Sequence, residues 1–161
     1  MKPALLVIDI QEAFVGHLKG TAAFEKTMIY INEAARCFRE AGESVIVVRD
    51  ISEGTGDNYK TVPEFTTGDH DVEILKMYNN AFWKTDLEGI LRTRGVDFVI
   101  VCGNAAEYCV LATYNGARER DFGVAMLQHG LFAETHEGRM DGFNNRALIS
   151  YEVIDALLKT H

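Results

Sequence analysis

Asp97-Phe98-Val99-Ile100-Val101-Cys102-Gly103-Asn104-Ala105-Ala106-Glu107-Tyr108-Cys109 is the most informative stretch of this chain. Asp97 to Cys102 is a mostly apolar run of strand length. A helix is expected to begin near Ala106 and to run toward Asp121, so one cysteine lies just past a strand and in the first turn of a helix. A thiol there faces unpaired backbone N–H groups and the positive end of the helix dipole. Both favour the thiolate, which is the nucleophilic form. The same amides can stabilise an oxyanion as a carbonyl is attacked. The stretch therefore points to a strand–turn–helix unit with an enzyme's chemistry at its turn.

Outward from this unit, strands alternate with helices. Ala4-Leu5-Leu6-Val7-Ile8 and Val45-Ile46-Val47-Val48 are apolar throughout, as expected of strands covered on both faces. Between them, Phe24, Met28, Ile31, Ala35 and Phe38 step by fours and threes and mark one stripe of a helix from Thr21 to Ala41, capped by Thr21 and closed by Gly42. A weaker strand spans Val72 to Met77. Thr85 and Glu88 have capping-box spacing for a helix ending at Gly95. A strand at Gly123 to Gln128, a helix near His136 to Asn144, a short strand at Ala147 to Ile149 and a helix from Tyr151 to Lys159 follow. The polar, glycine-bearing stretch Ile51 to Asp71 reads as a long loop, of the kind used as a lid or binding loop. Such alternation predicts an α/β fold with a mainly parallel sheet and helices on both faces. Ligands in such sheets bind beyond the carboxyl ends of the strands. Asp9, Asp50, Lys76 and Cys109 all lie at or just past those ends.

A length of 161 residues is expected to form a single domain spanning 1–161. The net charge of −8 disfavours nucleic acid and anionic membranes as partners. A small-molecule substrate remains compatible, because a pocket's local charge can oppose the net charge. Three cysteines without metal-type spacing suit a reducing compartment. The apolar run Ala4 to Ile8 is too short for a signal-peptide core, and no stretch approaches membrane-spanning length. A cytoplasmic protein is expected.

Cys109 is the candidate nucleophile, although most free cysteines are small packed side chains. Cys37 and Cys102 fit that plainer role. A cysteine nucleophile needs a proton acceptor and later a donor. None of His17, His70, His129, His136 and His161 pairs with another at metal-ligand spacing on one element. Asp9 is the better base: at the end of an apolar strand, burial raises its pKa toward neutrality. Lys76 can hold both anions in place.

These residues resemble the isochorismatase-like cysteine hydrolases, a family that includes nicotinamidases. Val7-Ile8-Asp9-Ile10-Gln11 is similar to the family's N-terminal signature. Lys76, Ala81-Phe82 and Thr85-Asp86-Leu87 resemble its lysine segment, and Gly103-x-Ala105-x-x-x-Cys109 its nucleophile segment. The three occur in family order. The resemblance implies a three-layer α/β/α sandwich, Rossmann-like, with a catalytic triad of Asp9, Lys76 and Cys109. It implies a thioester on Cys109, and a cis peptide at Asn104–Ala105 that aims the Ala105 and Cys109 amides at an oxyanion. It also implies a homo-oligomer, a dimer or larger.

Some positions depart from the family pattern. Asn104 stands at a usually apolar position, Ala106 where threonine is frequent, and Tyr108 beside the nucleophile; Asn79 and Asn80 replace an aromatic–serine pair. These changes bear on substrate identity more than on chemistry. The nicotinamidase metal site needs two histidines close after Asp50, and Ile51-Ser52-Glu53-Gly54 supplies none, so no metal and no cofactor are expected. Phe14, Phe82, Trp83 and Tyr108 are the expected substrate-binding side chains. The expected function is hydrolysis of a small amide-type C–N bond. The alternatives are a vinyl-ether hydrolase of the isochorismate type with Asp9 as acid, and a non-catalytic binding or assembly protein on the same fold.

Overall fold

The computed structural model describes residues 1–159. Six strands form one sheet: β1 (Pro3–Ile8), β2 (Ser44–Asp50), β3 (Val72–Lys76), β4 (Phe98–Gly103), β5 (Gly123–Leu131) and β6 (Leu148–Ile149). Their order across the sheet is β3-β2-β1-β4-β5-β6, and every pairing is parallel. The chain builds outward from β1 in one direction, then returns to β4 and builds outward in the other. The reversal leaves a crevice beyond the carboxyl ends of β1 and β4, where no crossover connection covers the sheet.

Among the described residues, six helices accompany the sheet: α1 (Glu12–Val15), α2 (Ala22–Glu40), α3 (Leu87–Thr93), α4 (Cys109–Arg118), α5 (His136–Asn145) and α6 (Tyr151–Leu158). Two hydrophobic layers flank the strands. On one face the α2 residues Phe24, Met28, Ile31 and Phe38, with Ile154 of α6, pack on Leu5, Val7, Val45 and Val47. On the other, Leu87 and Leu91 of α3 and Val110, Tyr114 and Ala117 of α4 pack on Leu6, Ile8, Ile46 and Val48. Alternate residues of each central strand thus serve opposite layers, so these strands are apolar throughout. The α2 stripe read from the sequence is its buried face, and the Thr21 hydroxyl accepts the Phe24 N–H at 3.1 Å as the N-cap.

Four local expectations are corrected. The capping box at Thr85 and Glu88 does not form: the Thr85 hydroxyl accepts the Leu87 N–H at 3.3 Å, not that of Glu88, while donating to the Ala81 carbonyl at 2.6 Å, and α3 starts at Leu87 with Asp86 as its N-cap. Helix α4 begins at Cys109 itself rather than near Ala106, because residues 105–108 form the preceding turn. Strand β5 runs on to Leu131, past the expected Gln128, with a register irregularity against β4. The long loop is not a free lid. Its middle pairs Thr61 with Gln11, it buries Val62 and Phe65 in the α2 layer, and Asn32 and Arg39 of α2 bond its backbone.

Candidate active site

Each charged group of the site sits where a strand ends. Asp50 and Lys76 are the last residues of β2 and β3 and are register partners in the sheet. Asp9 follows β1 with a left-handed φ of 50°, a conformation aspartate tolerates better than most residues. Cys109 opens α4 after the β4 turn. Gly103 makes that turn possible: its φ is +109°, and a Cβ there would lie 2.0 Å from the Ile8 carbonyl oxygen. The Asn104–Ala105 peptide is cis. Among the described residues, no backbone carbonyl takes the N–H of Ala105 or of Cys109.

Lys76 is the hub. Its ammonium lies 2.7 Å from Asp9 Oδ2 and 2.8 Å from Asp50 Oδ2, and donates to Cys109 Sγ at 3.4 Å. Only 1 % of Lys76 is exposed. Burial alone pushes its pKa down, but the charges of Asp9 and the cysteine and the bonds to Asp50 and Asp9 outweigh that, so it is held above its ordinary value. It is a fixed positive charge at the floor of the cleft.

The two acids differ. Burial pushes Asp50 up, but hydrogen bonds from Lys76 and Ser52 and the lysine's charge leave it below the usual carboxylate value. Asp9 is 1 % exposed and is held by the Lys76 ammonium, and among the described residues no backbone N–H donates to its carboxylate. Burial raises its pKa to about 6 against the pull of Lys76, with Asp50's charge adding to the rise. The Cys109 thiol is pushed up to about 12, first by burial and then by Asp9. This corrects the expectation of a resting thiolate: water exclusion and the facing carboxylate outweigh the helix terminus and Lys76. At rest the proton is on sulfur, and Asp9 is the neighbouring acceptor.

Further side chains brace this arrangement. Gln11, fully buried, donates to the carbonyls of Asp50 and Tyr59 at 2.8 and 2.7 Å and accepts the Asp50 N–H at 2.7 Å. It clamps the end of β2 and so places Asp50. Thr113 of α4 accepts the Ala81 N–H at 3.0 Å, tying the lysine segment to the helix that Cys109 opens. Glu107 accepts the N–H groups of Glu134 and Thr135, both at 2.9 Å, joining the turn before Cys109 to the loop after β5. The residue types gave no signal for these braces, except that Gln11 lies within the N-terminal signature.

A cleft of about 240 Å³ opens over the reversal point, lined by Asp9, Asp50, Cys109, Asn79, Asn104 and Ala105 with Phe14 and Tyr108 at its sides. Phe82 and Trp83 are absent from this lining. Phe82 is buried against Phe122 with ring centroids 5.8 Å apart and the Arg120 guanidinium 5.1 Å above it. Trp83 is 52 % exposed outside the cleft. The turn following Asn80 folds onto the α3–α4 layer and carries both rings away from the strand ends. Among the described residues no histidine lines the cleft, and His161 lies outside them. Asp9, Asp50 and Cys109 offer ligand atoms within 4.8 Å of one another. The Lys76 ammonium already bonds into that group, so a metal ion there meets a fixed positive charge, and the donor set does not fit one.

Residues 3–156 match the model of the isochorismatase domain. The isochorismatase family protein YecD of Escherichia coli is 29 % identical over 161 residues, covering 88 % of this chain and 86 % of its own. N-carbamoylsarcosine amidase from Thermoplasma acidophilum shares the fold, with a TM-score of 0.81 and 23 % identity over 94 % of this chain and 98 % of that one. Pyrazinamidase of Pyrococcus horikoshii, solved in complex with zinc, superposes with a TM-score of 0.81 at 25 % identity over 93 % of this chain and 99 % of that one. With its reversed parallel sheet and a domain match over nearly its whole length, this chain belongs to the isochorismatase family of hydrolases.

Proposed function

We propose that this protein is a cysteine hydrolase that cleaves a small amide-type C–N bond through a thioester. The observation that carries the reading is the meeting of Asp9, Lys76 and Cys109, from three separate strand ends, at one opening. Asp9 takes the thiol proton as Cys109 Sγ attacks the amide carbon, and the charge passes to the carbonyl oxygen. The N–H groups of Ala105 and Cys109 stabilise that oxyanion. Collapse breaks the C–N bond, Asp9 returns the proton to the leaving nitrogen, and the acyl group remains on sulfur. Asp9 then draws a proton from water, which hydrolyses the thioester and restores the thiol. Lys76 balances whichever of Asp9 and Cys109 is anionic.

The names of two neighbours in structure, an N-carbamoylsarcosine amidase and a pyrazinamidase, support an amide-type substrate. The same reading takes residues 1–161 as one domain, and the protein as a cytoplasmic homo-oligomer. The test is to incubate wild type and Cys109→Ala with a panel of small amides and with isochorismate, and to look for an acyl adduct on Cys109 by mass spectrometry. Amide cleavage that vanishes with the sulfur, together with a trapped adduct, supports the thioester. Vinyl-ether cleavage that survives Cys109→Ala assigns Asp9 as an acid instead. No turnover and no adduct would favour a binding role.

A further inference from the structure

We propose that the cleft selects amides that carry a cationic group, an ammonium or amidinium, a few atoms from the scissile carbonyl. This rests on the hydrolase reading above and adds the substrate class.

The argument comes from the cleft's charges. Its wall contains four carboxylates, those of Asp9, Asp50, Glu53 and Glu134, and no arginine or lysine. The Lys76 ammonium is buried beneath and already bonded to Asp9 and Asp50. Glu53 lies in the loop after β2 and Glu134 in the loop after β5, so they face each other from opposite lips, with Asp9 and Cys109 between them. Both glutamates are exposed, and among the described residues neither is paired with a basic side chain. The remaining lip surface is aromatic: Phe14 on the β1 side and Tyr108, 49 % exposed, on the β4 side. Aromatic faces attract cations as well. An anionic substrate would meet like charge on both lips and find no free donor side chain of positive charge. A cation held by Glu53 or Glu134 leaves the amide end of its molecule directed at Cys109.

The test uses three primary amides of equal chain length, γ-aminobutyramide, valeramide and glutaramate. They present an ammonium, a methyl group and a carboxylate at the end remote from the amide. For the wild type, kcat/KM is expected to favour the ammonium over the methyl by about two- to fivefold, the size of one exposed ion pair, with the carboxylate slowest. The Glu53→Gln/Glu134→Gln double variant brings the ammonium-to-methyl ratio to about one, and added salt narrows it in the wild type. In parallel, Cys109→Ala is titrated with the three compounds by ligand-observed NMR. Cleavage without a charge preference, a preference for the carboxylate, or a preference unchanged in the double variant overturns the inference and leaves the hydrolase reading intact. Selective binding of the ammonium compound with no cleavage of any of the three overturns the hydrolase reading and supports the cationic selection. Neither cleavage nor selective binding overturns both.

Discussion

The ends of β1 and β2 lie side by side, each presents an aspartate to the same lysine, and the two acids behave oppositely. Asp50 accepts bonds from Lys76 and from the Ser52 backbone and stays below the usual carboxylate value. Asp9 meets the same ammonium at 2.7 Å, yet it is more completely buried, and burial carries it up to about 6. Proximity to a positive charge is therefore not what sets proton affinity here. How completely water is excluded from each carboxylate, set against the bonds and charge that favour its anion, decides it. One strand end supplies a permanent counter-ion and its neighbour a group that exchanges protons near neutrality.

The largest expected effect tests the thiol beside Asp9. Cys109→Ala should lower amide kcat by at least about a thousandfold in a steady-state assay, while the thermal midpoint stays close to that of the wild type. Next comes Asp9→Asn, with a loss of about a hundred- to ten-thousandfold in kcat/KM. The wild-type kcat/KM should rise with pH through about 6, as Asp9 loses its proton, and the acidic limb should disappear in Asp9→Asn. Asp50→Asn should cost far less, roughly tenfold, equivalent to about one unit of altered proton affinity. Its acidic limb should move to lower pH, because Asp50's charge raises Asp9. Equal losses in Asp9→Asn and Asp50→Asn would break the comparison between the two strand ends.

Stability should separate the same two acids by sign. Asp9 has a folded value above its ordinary 3.8, so its contribution to stability is complete below 3.8 and is lost as pH rises through about 6. Asp50 is held low, so its contribution is present above 3.8 and is lost as pH falls through its folded value. Thermal midpoints of wild type, Asp9→Asn and Asp50→Asn across this range should diverge in opposite directions. The smallest effect marks the edge of the site: Trp83→Ala, outside the cleft, should leave kcat/KM within about twofold.

Much of this was legible along the chain, for reasons of range. Unbroken apolar runs at residues 4–8 and 45–48 announce strands covered on both faces, and the α2 stripe declares its buried side. These signals operate over a few residues, where periodicity and capping act. The same local logic failed at Thr85, whose oxygen accepts the Leu87 N–H in place of Glu88's, and at Phe82, whose ring packs in the α3–α4 layer against Phe122 and Arg120. Phe122 and Arg120 lie about forty residues from Phe82, outside the segment whose pattern was being read.

By itself, then, the sequence determined an α/β chain with an acid, an amine and a thiol at strand ends, because strand and helix patterns are written in short-range periodicity. The tertiary structure alone decided that β1 and β4 lie together, which sets Asp9 beside Cys109 across a hundred residues of chain. It alone decided that Asp50 joins Lys76, that Gln11 clamps the end of β2, and that the thiol rests protonated. Strand order and proton affinity both depend on which distant groups share a desolvated space, and that is set only when the layers close.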